Sequence, residues 1–249
     1  MLKTEAKPPR EQVSHTAQHL SEILMGNSPP LAKPSTFKLC EICKLRAADA
    51  LVERLCHVCF RKLNFERLPP EAQRQEWLSV VPERFIEAKM DDLHESVRTI
   101  LLEENANGVL FWGPPGVGKT YAFCALARHL IAEGFICKRL NYELLCLQLR
   151  DTFKPSSKYS EWDIIEPLVN CDRLFLEDIG TTKSIDSKES DFSLRTLLVV
   201  IDLRLEHCRP TYISTNKSVE SLANSFDVRI GDRLRLYKIL KLEGKSKRK

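Results

Sequence analysis

The chain has 249 residues, of which 43% are hydrophobic and 29% charged, and its formal net charge is +4. This composition excludes an intrinsically disordered chain, and no apolar run approaches the ~20 residues of a membrane-spanning helix. The net charge is too small to indicate a nucleic-acid partner by itself. Because the first residues carry no secretory signal, we expect a cytoplasmic protein without membrane contact.

Residues 1–38 are predicted to form an arm and a linker. Val13, Ala17, Leu20 and Leu24 recur with the spacing of one helical stripe, and several prolines follow them. One such stripe suits contact with a partner helix and packing within its own chain equally well, so both interpretations stay open.

Four of the nine cysteines form two C-x-x-C pairs. Cys40 and Cys43 are followed, after twelve residues, by Cys56 and Cys59. Two such pairs at this spacing are typical of Zn²⁺ held tetrahedrally by four thiolates. A reducing compartment disfavours disulfides, and a redox C-x-x-C normally occurs singly. Four thiolates close the coordination sphere, so residues 39–62 are predicted to form a structural zinc module.

The other five cysteines each stand alone within an apolar pattern. We expect all five to be small buried hydrophobic residues rather than ligands. They are Cys124, Cys137, Cys146, Cys171 and Cys208. Between the zinc module and the next domain, residues 63–90 are predicted to form connecting helices broken by prolines.

The segment GPPGVGKT matches G-x-x-x-x-G-K-[ST] at every fixed position. It lies between an apolar run that suits a buried strand and a pattern that predicts a helix over residues 119–133. Glycines let backbone N–H groups approach a phosphate chain, and the helix start adds the positive end of its dipole. We expect Lys119 to be a surface cation that reaches the outer phosphates, and Thr120 to ligate Mg²⁺. The predicted nucleotide site comprises Gly113, Pro114, Pro115, Gly116, Val117, Gly118, Lys119 and Thr120.

Strands and helices alternate after this phosphate loop. Further strands are predicted at 135–140, 174–176 and 211–214, and further helices at 141–153, 159–168 and 192–207. A polar loop is expected at 181–191. The alternation predicts an α/β fold with a three-layer parallel sheet over residues 91–249.

Two acidic residues end the third predicted strand. Glu177 and Asp178 come directly after its apolar residues, and Asn216 lies at the tip of the next strand. After a phosphate loop, acids at the end of a buried strand are where Mg²⁺ and the attacking water are handled. The alternative is a pair of loop carboxylates, and the two acids alone do not decide between these interpretations.

Taken in order, GPPGVGKT, LFLEDIG, RPTYISTN and DVRIGDRLR resemble the AAA+ ATPases of the DnaC/IstB type, over about residues 81–244. This family holds bacterial replicative-helicase loaders and helper ATPases of some transposons. Several loaders carry an N-terminal zinc module, which residues 40–59 resemble. The resemblance implies a P-loop NTPase fold whose acidic strand is not adjacent to the phosphate-loop strand. It also implies ATP and Mg²⁺ as cofactors and an ATP-dependent homo-oligomer.

The resemblance assigns catalytic roles to four residues. Glu177 stands at the position of the acid that organises the metal, and Asp178 at that of the acid that activates water. Asn216 matches the polar sensor that positions the water, and Arg233 matches the arginine that completes a neighbouring subunit's site. Arg204 matches a recurring arginine whose role is less defined.

Two positions depart from the family pattern. Glu177 is one methylene longer than the usual Asp, and Asp178 stands where wider AAA+ proteins carry Glu, although Asp occurs in this subgroup. We therefore expect ATP binding with slow hydrolysis. The leading hypothesis is a DNA-replication accessory ATPase that loads or regulates a replicative helicase and binds single-stranded DNA. The alternatives are a helper ATPase that recruits a transposase to duplex DNA, and an adaptor that binds ATP and hardly hydrolyses it.

Overall fold

The structure, a computed structural model, describes most of the chain. The described residues are 39–46, 48, 54–103, 105–180, 191–225 and 228–246. The helical stripe expected within residues 1–38, and nearly all of the polar loop expected at 181–191, lie outside them. In the part that the structure describes, no helix is long and apolar enough to cross a bilayer.

Five strands form one parallel sheet. They are β1 (Val109–Trp112), β2 (Cys137–Asn141), β3 (Arg173–Ile179), β4 (Thr211–Thr215) and β5 (Lys238–Lys241). The described helices are α1 (His57–Arg67), α2 (Pro70–Leu78), α3 (Glu95–Leu102), α4 (Lys119–Ala132), α5 (Tyr142–Asp151), α6 (Glu161–Asn170), α7 (Asp191–Glu206), α8 (Val219–Ser225) and α9 (Val228–Leu234). Two short 3₁₀ turns, Glu83–Phe85 and Met90–Asp92, precede α3. Helices lie on both faces of the sheet, which confirms the predicted α/β class.

The strand order is β2-β3-β4-β1-β5, and every neighbouring pair is parallel. Strand β4 therefore separates the acidic strand β3 from the phosphate-loop strand β1, as the family resemblance implies. No pattern in the sequence predicts β5. It has two lysines, and only Leu240 of its four residues is buried, so it lacks the apolar character of the other strands.

The core consists of two apolar layers, one on each face of the sheet. Phe123 of α4 packs edge-on against Phe111 of β1 and Phe175 of β3, with ring centroids 4.9 and 5.4 Å apart. Phe175 in turn stacks on Tyr212 of β4 at 4.8 Å. Burial of each large apolar side chain stabilises the fold by about 1.5–3 kcal/mol. The aromatic layer thus fixes α4, and with it the phosphate loop, to three of the strands.

Arg204 is fully buried, and the structure gives this arginine a structural role. Its guanidinium donates to the carbonyl oxygens of Leu168, Cys171 and Pro210 at 2.7, 2.8 and 2.7 Å, and to Thr211 Oγ1 at 2.8 Å. Burial lowers the pKa of Arg204, but a ring of polar acceptors satisfies its donors. Arg204 therefore joins the end of α6 to the start of β4.

The four-cysteine module is docked on the core through α1. The backbone of α1 approaches Gly134 so closely that a Cβ at this glycine would overlap the Val58 carbonyl oxygen. Arg61 of α1 donates from Nε to the Gly134 carbonyl oxygen at 2.6 Å and from Nη2 to Asp172 Oδ2 at 2.7 Å. Gly134 and Asp172 precede strands β2 and β3. The module is therefore held at the amino-terminal edge of the sheet.

Four of the five single cysteines are buried, as expected, but Cys208 is exposed. The expectation of burial was wrong for Cys208 because α7 ends at Glu206. Cys208 lies in the turn that follows, with a φ of 49°, and so falls outside the apolar face of the helix.

Candidate nucleotide site and metal centre

The phosphate loop connects β1 to the start of α4. Gly118 caps this helix with a φ of 109°, in the left-handed region that favours glycine, and no described atom lies within 4 Å of where its Cβ would be. Val117 is buried beneath the loop, and Thr120 is half-buried in the first turn of α4. The backbone N–H groups of this turn therefore face an open space, where an anion can bind.

Lys119 is held inside the loop rather than on the surface. Its Nζ donates to the carbonyl oxygens of Gly113 and Pro114 at 2.7 and 3.0 Å, and to Asn216 Oδ1 at 2.7 Å. The side chain is only 7% exposed, so the expectation of a surface cation was wrong. A buried ammonium needs polar acceptors, and the turn of the loop supplies carbonyls that point at it. The structure thus brings together two predicted site residues from distant segments.

Glu177 and Asp178 lie near the carboxyl end of β3, which continues to Ile179. The register between β3 and β4 shifts between Leu176 and Ile179, and Asp178 has a φ of 60°. Aspartate tolerates this left-handed conformation better than most residues, and bulges of this kind re-aim side chains beside active sites. Ser214 Oγ accepts from the Asp178 N–H at 3.1 Å and so fixes the bulge.

Glu177 is 4% exposed, and Arg139 of β2 is its partner. Arg139 Nη2 donates to Glu177 Oε2 at 2.6 Å, while Oε1 has no hydrogen-bond partner within the described part of the chain. Burial raises the pKa of Glu177, and Arg139 opposes that rise. A buried carboxylate oxygen left open is the donor that Mg²⁺, or a water bound to it, prefers. The residues present therefore fit a magnesium ion.

Asp178 is positioned by the residue that begins α5. Asn141 Nδ2 donates to Asp178 Oδ2 at 3.2 Å, while Asn141 Oδ1 accepts from the Glu143 N–H at 3.0 Å as the cap of that helix. Asn141 is fixed by its capping bond, so it also orients the carboxylate of Asp178 at the carboxyl edge of the sheet.

Arg233 of α9 is engaged by a carboxylate of its own chain. Its Nε and Nη2 donate to Asp202 Oδ1 and Oδ2 at 2.8 and 3.2 Å, a two-point contact with α7. These hydrogen bonds raise the pKa of Arg233, whose side chain is one-third exposed. In this chain Arg233 is therefore held by Asp202 on α7.

The four predicted zinc ligands converge. The Sγ atoms of Cys40, Cys43, Cys56 and Cys59 all lie within 4.8 Å of one another, and those of Cys43 and Cys56 are 3.9 Å apart. A tetrahedral site with Zn–S bonds of about 2.3 Å requires sulfur separations of about 3.8 Å, so the cluster fits Zn²⁺. Burial acts to raise the pKa of Cys40, but hydrogen bonds from backbone N–H groups outweigh it and lower this pKa to about 6.

Three residues that the sequence patterns do not single out contact predicted site residues. Arg139 pairs with Glu177, Asp202 pairs with Arg233, and Ser214 fixes the bulge at Asp178. Charge is the sequence signal at Arg139, but it does not distinguish Arg139 from the adjacent Lys138 of β2. The other two become visible only when distant segments are brought together by the fold.

Comparison with known proteins places these features in a family. Residues 83–248 match the family of IstB-like ATP binding proteins. The replicative helicase loader DnaC of Escherichia coli (strain K12) is 28% identical over 132 residues, which cover 53% of this chain and 51% of DnaC. The chain thus spans about half the length of the curated relatives it matches.

Solved structures agree on the fold. The crystal structure of DnaI superposes with a TM-score of 0.56 at 18% identity and covers 70% of this chain and 100% of DnaI. The crystal structure of the DnaC helicase loader gives a TM-score of 0.54 at 20% identity, covering 65% of this chain and 99% of that structure. The family match covers more than half of the chain and includes the phosphate loop, both acids, Asn216 and Arg233. The chain therefore belongs to the family of IstB-like ATP binding proteins.

Proposed function

We propose that this protein is an ATPase accessory to DNA replication, which binds and slowly hydrolyses ATP to load or regulate a replicative helicase. The contact between Lys119 and Asn216 carries this proposal, because it joins the phosphate loop to the tip of β4 next to the acidic strand. In an ordinary surface turn, the ammonium group of a lysine is exposed to solvent and is not buried against the tip of a distant strand.

Each side chain of the candidate site has a different role in phosphoryl transfer. Lys119 exchanges its loop carbonyls for the outer phosphates, and Asn216 is then free to orient the attacking water. Asp178 accepts the proton of that water, held by its contact with Asn141. Glu177 and Thr120 would hold Mg²⁺, which would supply charge neutralisation on the phosphates. Arg233 of a neighbouring copy completes the site, so ATP drives assembly of a homo-oligomer.

The similarity to the replicative helicase loader DnaC supports a helicase as the partner. We assign partner binding to residues 1–62, the N-terminal arm together with the zinc module. The module is fixed to the amino-terminal edge of the sheet by Arg61, so a bound partner would be held on the side away from the nucleotide. This work would take place in the cytoplasm, where replication proteins of this kind act.

Single-stranded DNA is the second proposed ligand. Phe153, Tyr159 and Trp162 are each more than half exposed around the connection from α5 to α6, and Lys154 and Lys158 stand between them. Exposed aromatic rings stack on unpaired bases, and interleaved lysines neutralise the backbone. This composition supports binding of single strands better than recognition of a duplex groove.

A helper ATPase of transposition is the second candidate, and the match to IstB-like proteins favours it. Such a protein would coat duplex DNA and recruit a transposase. An adaptor that binds ATP with negligible turnover is a third, because Glu177 is held by Arg139 at the position of the metal-organising acid.

DNA binding by the full chain, followed by fluorescence anisotropy with and without ATP, tests the proposal. Phe153→Ala should weaken ATP-dependent binding of single-stranded DNA about tenfold, since stacking of one base contributes ~1–3 kcal/mol. Leu236→Ala, at an equally exposed apolar residue after α9, is the matched control and should bind like the parent. Preference for duplex DNA would favour the transposition candidate, and equal binding with and without ATP would contradict the proposal.

A further inference from the structure

Arg139 and Glu177 form an ion pair within the candidate site. In the parallel register of β2 and β3, Arg139 is opposite Phe175 and Asn141 is opposite Glu177. Residues two apart on a strand point to the same face, so Arg139 and Glu177 both project on the side of Phe175, which faces α4. The pair therefore lies between the acidic strand and the helix that begins at the phosphate loop.

This pair is only half satisfied. Glu177 Oε1 and Arg139 Nε are both buried, and within the described residues neither has a hydrogen-bond partner. An arginine that served only to neutralise a buried carboxylate would normally bind both oxygens through its planar fork. Here Glu177 Oε2 accepts from Nη2, and Oε1 has no hydrogen-bond partner among the described residues. A buried carboxylate oxygen without a partner destabilises the fold until a ligand binds it.

We propose that Arg139 is a positioning residue that acts as a built-in counter-cation for Glu177 and competes with Mg²⁺ for its carboxylate. This inference rests on the proposed nucleotide site. While the site holds no nucleotide, the guanidinium compensates the buried negative charge of Glu177. When Mg²⁺ and ATP bind, Arg139 keeps one carboxylate oxygen and leaves only Oε1 available.

Electrostatics predicts how loss of the Arg139 charge changes both the stability of the protein and its affinity for Mg²⁺. Removal of the guanidinium leaves a buried carboxylate without its counter-charge, which destabilises the empty protein. The same change frees both oxygens and removes a positive charge that repels the metal, so it strengthens binding of Mg²⁺. A purely structural arginine would produce the first effect without the second. Loss of stability together with tighter metal binding is thus the signature of a counter-cation.

The test uses Arg139→Met, which keeps an unbranched side chain about as long as the aliphatic part of arginine and removes the charge. Thermal unfolding of the full chain is followed with a non-hydrolysable ATP analogue while Mg²⁺ is titrated. We expect a lower unfolding temperature without ligand and a half-saturating Mg²⁺ concentration that falls about tenfold, the size of effect that a charged hydrogen bond carries. Arg139→Lys restores the charge and should return both quantities toward those of the parent.

Arg61→Met is the matched control, because Arg61 forms a comparable pair with Asp172 at the other end of the same strands. It should lower the unfolding temperature and leave the half-saturating Mg²⁺ concentration unchanged. If Arg139→Met fails to fold, Arg139→Met combined with Glu177→Gln removes both charges together. That double variant should recover stability and lose most of its dependence on Mg²⁺.

Two results would overturn the inference. One is an Arg139→Met variant whose Mg²⁺ dependence equals that of the parent, or an Arg139→Lys variant whose Mg²⁺ dependence equals that of Arg139→Met. The other is a weaker response to Mg²⁺ in Arg139→Met, which would make Arg139 a supporter of metal binding. Failure of the parent itself to be stabilised by the analogue with Mg²⁺ would instead overturn the proposed function, and this inference with it.

Discussion

The zinc module and the nucleotide site occupy opposite edges of one sheet and are built in opposite ways. All four cysteines lie within residues 40–59, and they converge on one another. The nucleotide site draws on segments from Gly113 to Asn216, and its charged groups have partners within the chain: Lys119 has carbonyls and Asn216, and Glu177 has Arg139. We therefore expect the module to depend on a metal ion for cohesion, and the charged groups of the nucleotide site to be held by their partners within the chain.

Removal of zinc should have the largest effect, because zinc binding to small metal modules contributes on the order of 10–16 kcal/mol. Chelation, or Cys59→Ser, should expose the amides of residues 39–67 to hydrogen exchange and leave the β-sheet protected. Cys208→Ser, which changes an exposed cysteine outside the cluster, is the matched control. Metal analysis that finds well under one zinc per chain in a reduced sample would contradict the assignment of the cluster.

Arg233→Ala should have the next largest effect, because we propose that Arg233 of a second copy of the chain completes the nucleotide site. An arginine supplied from outside is worth ~10³–10⁵ in rate, so hydrolysis and ATP-driven assembly should be lost while ATP affinity stays nearly unchanged. Arg235→Ala removes the neighbouring ion pair with Asp232 and should cost less than about 1 kcal/mol of stability and no activity.

Mixing Arg233→Ala with Lys119→Ala sharpens this comparison. Each variant supplies the half of the site that the other lacks, so some hydrolysis should return when the two are combined. Full ATPase activity of Arg233→Ala alone, at every protein concentration, would show that Arg233 serves only its partner Asp202.

Substitutions of Glu177 and Asp178 should have different effects on nucleotide binding and hydrolysis. Asp178→Asn should retain nucleotide binding and lose about 10²–10⁴ in hydrolysis rate, since it removes the base that accepts a proton from water. Glu177→Gln should chiefly weaken binding that depends on Mg²⁺. Phosphate release and calorimetry measure these two properties separately, and the same phenotype for both variants would contradict their assigned roles.

Local patterns predicted much of this protein, because spacing along the chain carries the necessary information. The C-x-x-C pairs, the phosphate loop and the alternation of strands and helices all depend on neighbours in sequence. The family resemblance supplied the separation of the acidic strand from the phosphate-loop strand. The two acids lie near the carboxyl end of β3, which continues to Ile179, and their separate roles stay a prediction.

The missed features share a physical origin in contacts between distant segments. The burial of Lys119 depends on Asn216, which is 97 positions away, and the pairing of Glu177 depends on Arg139, 38 positions away. Strand β5 was missed because one of its sides faces solvent and it contains lysines. No helical or strand period encodes such pairs, so they become visible only in the folded chain.

Binding of ATP with Mg²⁺, measured by calorimetry for the parent and for Lys119→Ala, tests the central claim most directly. Loss of a charged contact to phosphate should cost ~1.5–3 kcal/mol, so the variant should bind at least about tenfold more weakly or not measurably. Its fold should persist, because the released carbonyls of the loop can bind water. Lys138→Ala, at an exposed residue of β2, is the control and should bind like the parent. Parent-like binding by Lys119→Ala would contradict the assignment of the phosphate loop and the account built on it.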